Sequence, residues 1–150
     1  MAFASWAMLM IACVGITSCN KDDDDDKDEN PIVGVWLFEE DGSLEYTVLG
    51  DNGSLEMYVY DPEEAAYGRS KNSTYTYADG KLTMKGSISM KWMGLNLGSQ
   101  PLNDTFTATL SGDVLSLSDA EGTTTTMKRV SDNDKTYQDA KNAVVKEFGY

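Results

Sequence analysis

The sequence predicts an all-β fold, an up-and-down antiparallel β-barrel of eight or nine strands, followed by one C-terminal α-helix. Three observations lead there. Turn dipeptides recur at short intervals from Pro31 onward (Asp41-Gly42, Asn52-Gly53, Asp79-Gly80, Gly112-Asp113, Glu121-Gly122), each between runs rich in Val, Leu, Tyr, Thr and Phe. Inside those runs apolar and polar residues alternate with period two: Leu55, Met57 and Val59 against Glu56, Tyr58 and Tyr60, then Phe106, Ala108 and Leu110 against Thr105, Thr107 and Thr109. After Val130 the period changes to that of a helix.

Composition narrows the chemistry. A chain of 150 residues holds one ordinary domain, and a formal charge of −13 repels phosphate and so argues against a nucleic-acid partner. The absence of His removes the commonest metal ligand, the usual general base near neutral pH and the ordinary Ser-His and Cys-His pairs. Both cysteines, Cys13 and Cys19, precede the predicted barrel, so the barrel contains neither a disulfide nor a thiolate metal site. No cofactor, metal or catalytic residue is expected, and no enzyme activity.

The first element is an address. Residues 1–18 carry no charged side chain, whereas residues 20–30 carry no apolar one, and the apolar run is marginal for the ~20 residues of a spanning helix. This reads as a signal peptide over 1–18; an uncleaved anchor is the other reading, and the basic n-region of a usual signal is missing, which places the true start codon in question. Ile16-Thr17-Ser18-Cys19 resembles the lipobox of bacterial lipoproteins, a branched apolar residue and two small ones before Cys. The resemblance implies cleavage before Cys19, lipidation of its thiol and attachment to a membrane. Cys13, after Met10-Ile11-Ala12, would leave a hydrophobic stub if it were the site. Residues 19–31 then form an acidic tether. Lys21 with Asp22, Asp23, Asp24, Asp25 and Asp26 is similar to the export signal of Bacteroidetes-type surface lipoproteins, which implies display on the outer membrane, facing the exterior. A run of like charge is also simply a solvated linker, and Asp23 to Lys27 matches an enterokinase site.

The barrel is expected over 32–130, with strands near 33–40, 44–49, 54–60, 73–78, 81–86, 87–93, 104–111, 114–118 and 123–130, one pair merging in the eight-strand version. Closing such a meander removes its edges. An immunoglobulin-like sandwich needs long crossovers, and only Asp61 to Asn72 and Gly94 to Asn103 are long enough. Gly34-Val35-Trp36 in the first strand and Arg129 in the last, within Met127-Lys128-Arg129-Val130, resemble the G-x-W and terminal-strand Arg of lipocalins. The resemblance implies that Gly34, Trp36 and Arg129 close one end of the barrel, the guanidinium lying across the indole. Residues 131–150 form the helix, with Asp134 as N-cap and Tyr137, Ala140, Val144 and Phe148 as its apolar stripe, facing Val35 and Leu37.

A ligand is expected at the other, open end. Ile88, Met90 and Trp92 point one way along a strand, and Met93, Leu95 and Leu97 keep the chain apolar through what should be a polar loop. These residues are the candidate binding site for a small apolar or amphipathic molecule; the bland alternative is that they complete the core. Tyr58, Tyr60, Tyr67, Tyr75 and Tyr77 offer a second surface, for a protein or glycan partner, or else ordinary cross-strand packing. The expected function is that of a membrane-anchored lipocalin-like binding lipoprotein; the alternative is a solid barrel that binds a protein or glycan through its outer surface.

Overall fold

The structure, a computed structural model, describes residues 31–149. The signal segment, Cys19 and the export residues Lys21 to Asp26 lie outside the described residues. Eight antiparallel strands run in chain order and close into a barrel: β1 (Gly34–Glu40), β2 (Ser43–Leu49), β3 (Ser54–Asp61), β4 (Ala66–Ala78), β5 (Lys81–Trp92), β6 (Leu95–Ser111), β7 (Val114–Ser118) and β8 (Thr124–Val130). One helix, α1 (Lys135–Phe148), follows. Every strand finds both neighbours within 31–149, so the barrel is complete without the first 30 residues.

Tight turns explain the meander. Asp41 (φ 51°) with Gly42 (φ 86°) and Asp79 (φ 54°) with Gly80 (φ 73°) adopt the left-handed pairs whose twist suits a two-residue hairpin. The alternation then sorts side chains into two clusters. Trp36, Leu49, Leu55, Tyr75, Leu82 and Leu115 lead a core inside the barrel. Val35, Leu37, Tyr46 and Tyr58 face outward and are covered by Tyr137, Ala140 and Val144 of α1. The helix begins where Asp134 accepts the backbone N–H of Tyr137 at 2.9 Å, and ends at Gly149 (φ 82°), whose N–H donates to Val145 O at 2.9 Å.

Strand lengths depart from expectation in one region. β4, β5 and β6 have 13, 12 and 17 residues, and β7 only 5. The expected loop Asp61 to Asn72 is a turn at 62–65 plus the first half of β4, the expected loop Gly94 to Asn103 is the first half of β6, and the two strands expected over 81–93 are one. Polar composition (Gly-Arg-Ser-Lys-Asn-Ser in β4) concealed strands held by neighbours on both sides.

The long strands bend at one level. β4 bulges at Lys71-Asn72, with Asn72 at φ 62°, between Arg69 and Thr74 of its ladder with β5. Gly86 (φ 147°) lies against this bulge, where a Cβ would collide with the Ser73 hydroxyl. Buried Ser70 Oγ lies 2.8 Å from Ser73 Oγ and 2.7 Å from Ser87 O, so the corner's polar groups are satisfied. Beyond it, residues 95–106 of β6 pair with β5 alone, because β7 begins its pairing at Thr107. The open edge is blunted by Pro101, by a bulge next to Gly98, and by Asp104, which shares the inward face of its register partner Met84.

Candidate functional site

The two ends of the barrel have opposite construction. At the closed end Trp36 is fully buried and its Nε1 donates to Ile32 O at 2.9 Å. Trp36 and Arg129 are register partners across the β1–β8 closure, so their side chains share the inner face, and the guanidinium carbon lies 4.3 Å from the indole centroid. Arg129 Nη1 donates to Val33 O at 2.7 Å and Nη2 to Pro31 O at 3.0 Å, and Nε lies 3.3 Å from the exposed Asp113 carboxylate. Gly34 is the third part. At φ 145° and with Arg129 Nη1 only 2.6 Å from where a Cβ would stand, any other residue would strain the backbone and displace the guanidinium. Gly34, Trp36 and Arg129 thus form one staple between the first and last strands.

At the other end the turns are 41–42, 62–65, 93–94 and 119–123, and the β5–β6 hairpin carries the candidate residues. Ile88 packs on the interior cluster, so by alternation Met90 and Trp92 also face inward, and Leu95 faces inward as the register partner of Trp92. Trp92 is 44% exposed and Leu95 62%, so this inner wall extends beyond the core that fills the barrel below. Met93 and Leu97, 65% and 58% exposed, sit at the hairpin turn and its bulge and do not share that wall. Met93 takes φ 50°, a conformation normally given to Asn, Asp or Gly. The segment expected as an apolar loop is therefore a regular hairpin with an apolar tip.

Lateral rows of register partners define the mouth's depth. One row reads Asp61, Ala66, Trp92, Leu95. The row beneath reads Phe38, Glu45, Val59, Gly68, Met90, Gly98. Gly68 leaves room for its neighbours, since a Cβ there would stand 2.7 Å from Met90 Sδ and 2.9 Å from Val59 Cβ. Glu45 gave no signal in the sequence, because the alternation of Leu44, Tyr46 and Val48 marks those three as the buried set. The structure buries them on the outer side, under the helix, and turns Glu45 into the barrel. Desolvation, then the nearby Glu40 carboxylate, raises the pKa of Glu45.

The tyrosines divide. Tyr75 and Tyr77 face the interior, and Tyr75 donates its hydroxyl to Gly50 O at 2.7 Å. Tyr46, Tyr58 and Tyr137 are buried between sheet and helix, with Tyr46 and Tyr137 centroids 5.0 Å apart and Arg69 4.5 Å from the Tyr58 centroid. Burial raises all three pKa values first of all, those of Tyr46 and Tyr137 to about 12; for Tyr58, which donates to Glu56 Oε1 at 2.8 Å, that hydrogen bond adds to the effect. These rings fix the helix and are closed to a partner. Lys91, on the outer face of β5, donates to Glu147 O at 2.8 Å and ties the helix end to the long hairpin. On the outside of the β1–β8 closure, Leu37, Glu39, Val114, Thr126, Met127 and Lys128 line a shallow depression of about 260 Å³.

Among the described residues no three His, Cys, Asp or Glu side chains converge as a metal site would need, and no helix is long and apolar enough to cross a membrane. Comparison of the chain with family models, curated proteins and solved structures finds no match.

Proposed function

We propose that the protein is a lipid-anchored, surface-displayed binding protein of lipocalin-like architecture, without catalytic activity, that holds a small apolar or amphipathic molecule at the barrel mouth. Anchoring rests on Ile16-Thr17-Ser18-Cys19 and display on Lys21 with Asp22 to Asp26. The ligand reading rests on one observation, the inward-facing wall of Met90, Trp92 and Leu95 that stays exposed above a filled closed end. A ligand there lies in the upper third of the barrel, because the interior below is occupied by Trp36, Leu49, Leu55, Tyr75, Leu82 and Leu115. The same filling favours the second reading, a solid barrel that docks a protein or glycan by its outer surface.

Titration of an environment-sensitive fatty-acyl probe into the polypeptide from Asn20 to Tyr150 separates the two. The ligand reading expects micromolar binding that Trp92→Ala weakens about tenfold and Trp36→Phe leaves within about twofold. A folded protein that takes up no apolar probe supports the solid barrel. For the anchor, Cys19→Ala is expected to shift the protein out of the detergent phase or leave it as precursor; unchanged partitioning and acyl mass would place the anchor elsewhere.

A further inference from the structure

Glu45 stands in an apolar row. Its register partners are Phe38 and Val59, and the row continues through Gly68 to Met90, one level beneath Trp92 and Leu95. Among the described residues no hydrogen bond or ion pair reaches its carboxylate, which is largely withdrawn from water. A carboxylate in such a place costs several kcal/mol of hydration unless a partner restores it. Its pKa is raised, mainly by desolvation.

Apart from Arg129, the inward-facing charges have one sign, and Glu40 is the one that acts on Glu45. Glu40 shares the inner face of β1 with Phe38, and Asp104 that of β6 with Leu102 and Phe106. The strand cations Arg69, Lys81, Lys85, Lys91 and Lys128 alternate with inward residues and so face out, Lys71 is exposed in the β4 bulge, and Arg129 is inward but committed to the closed end. Above the closed end, the inward positions that the ladders define among the described residues combine apolar side chains with carboxylates and hold no Lys or Arg. An anionic head group entering there would meet like charge in a poorly hydrated site.

We propose that the ligand of this barrel carries a positively charged nitrogen on an apolar body, and that Glu45 receives the nitrogen while Met90, Trp92 and Leu95 hold the apolar part. This rests on the reading of the mouth as a ligand site and adds the ligand's charge to it. The dimensions agree: Glu45 on β2 and Met90 on β5 are three strand spacings apart, about 14 Å around the wall, close to the length of a ten-carbon chain. A charge-assisted hydrogen bond formed out of water then gives the carboxylate the partner that the fold withholds.

Three probes of one chain length test it by calorimetry below their micelle-forming concentrations: decylammonium, decanol and decanoate, each titrated into the polypeptide from Asn20 to Tyr150. The expected result is decylammonium binding at least tenfold tighter than decanol, with decanoate weakest. Glu45→Gln, which keeps the shape and removes the charge, is expected to bring decylammonium to the decanol level and leave decanol unchanged. Glu39→Gln, on the outer face, removes the same net charge and is expected to leave the preference intact. Equal binding of all three probes, or a preference that survives Glu45→Gln, overturns the proposal while the ligand site stands. No binding of any probe by folded protein overturns the ligand site and the proposal with it. Urea unfolding of each variant confirms that it is folded before titration.

Discussion

The closed end and the mouth of this barrel are made of the same eight strands, and they differ in how completely their side chains are committed. At the closed end every group is used: Trp36 has a hydrogen-bond acceptor and a cation, Arg129 has two backbone carbonyls and a carboxylate, and Gly34 is the gap into which the guanidinium fits. At the mouth, Trp92 and Leu95 remain in water and Glu45 lacks a partner among the described residues. A region selected for stability alone would commit its side chains as the closed end does. Uncommitted groups on one concave wall mark the part of the molecule that stability does not explain.

The comparison breaks first at Trp36. Trp36→Ala is expected to cost about 3–5 kcal/mol in urea unfolding as a buried aromatic truncation, and the effect should be non-additive with Arg129→Ala because the two share one contact. A double-mutant cycle without coupling would mean that the staple is geometry without energy. Gly34→Ala comes next, at about 2–3 kcal/mol from backbone strain and the clash with Arg129 Nη1. Arg129→Ala in the same chain should recover part of that cost, the part due to the clash.

At the mouth the sign reverses. A carboxyl whose pKa is higher in the folded state binds its proton more tightly there, so this group favours folding at low pH and opposes it as pH rises through the raised pKa. Glu45→Gln is therefore expected to stabilise the domain by about 1–2 kcal/mol at pH 7, and the gain should shrink as pH falls toward the ordinary carboxyl value of 4.5. Thermal unfolding at pH 7 and pH 4.5 reads both. The smallest effect belongs to Trp92→Ala, which should change stability by less than about 1 kcal/mol because half-exposed contacts contribute little. A large loss there would show that Trp92 is core and that the two ends are alike.

The helix face sets the alkaline limit of the whole. Tyr46 and Tyr137 resist ionisation to about 12, so they contribute stability below their unfolded value of 10 that is lost as pH rises from 10 to 12. Absorbance at 295 nm should show Tyr46 and Tyr137 ionising only together with loss of helix signal.

The sequence was most legible where local chemistry and the fold agree. Asp-Gly turns, the Leu55-Met57-Val59 alternation and Asp134 before an apolar stripe each carry their own signal, and each is found where expected. Gly34, Trp36 and Arg129 were legible only as a set. The long strands were not, because β4 holds Gly, Ser, Lys and Asn in positions justified by pairing with the adjacent strands β3 and β5. Glu45 was invisible for a related reason: both faces of β2 are covered, one by the barrel and one by the helix, so burial of Leu44, Tyr46 and Val48 did not reveal which face lay inside.

The β1–β8 ladder has three register pairs, Val35 with Val130, Trp36 with Arg129 and Leu37 with Lys128, whereas its neighbour β1–β2 has seven. Those three join residues 91 to 95 positions apart, a separation that makes closure the costliest loop in the fold and among the last contacts to form. The polypeptide has no closed form until its eighth strand is present, so a chain emerging amino-terminus first keeps β1 unpaired on one side for most of its delivery. In the finished molecule the same narrow ladder is the natural place for local opening, and amide protons of Val35 to Leu37 should exchange sooner than those shared by β4 and β5.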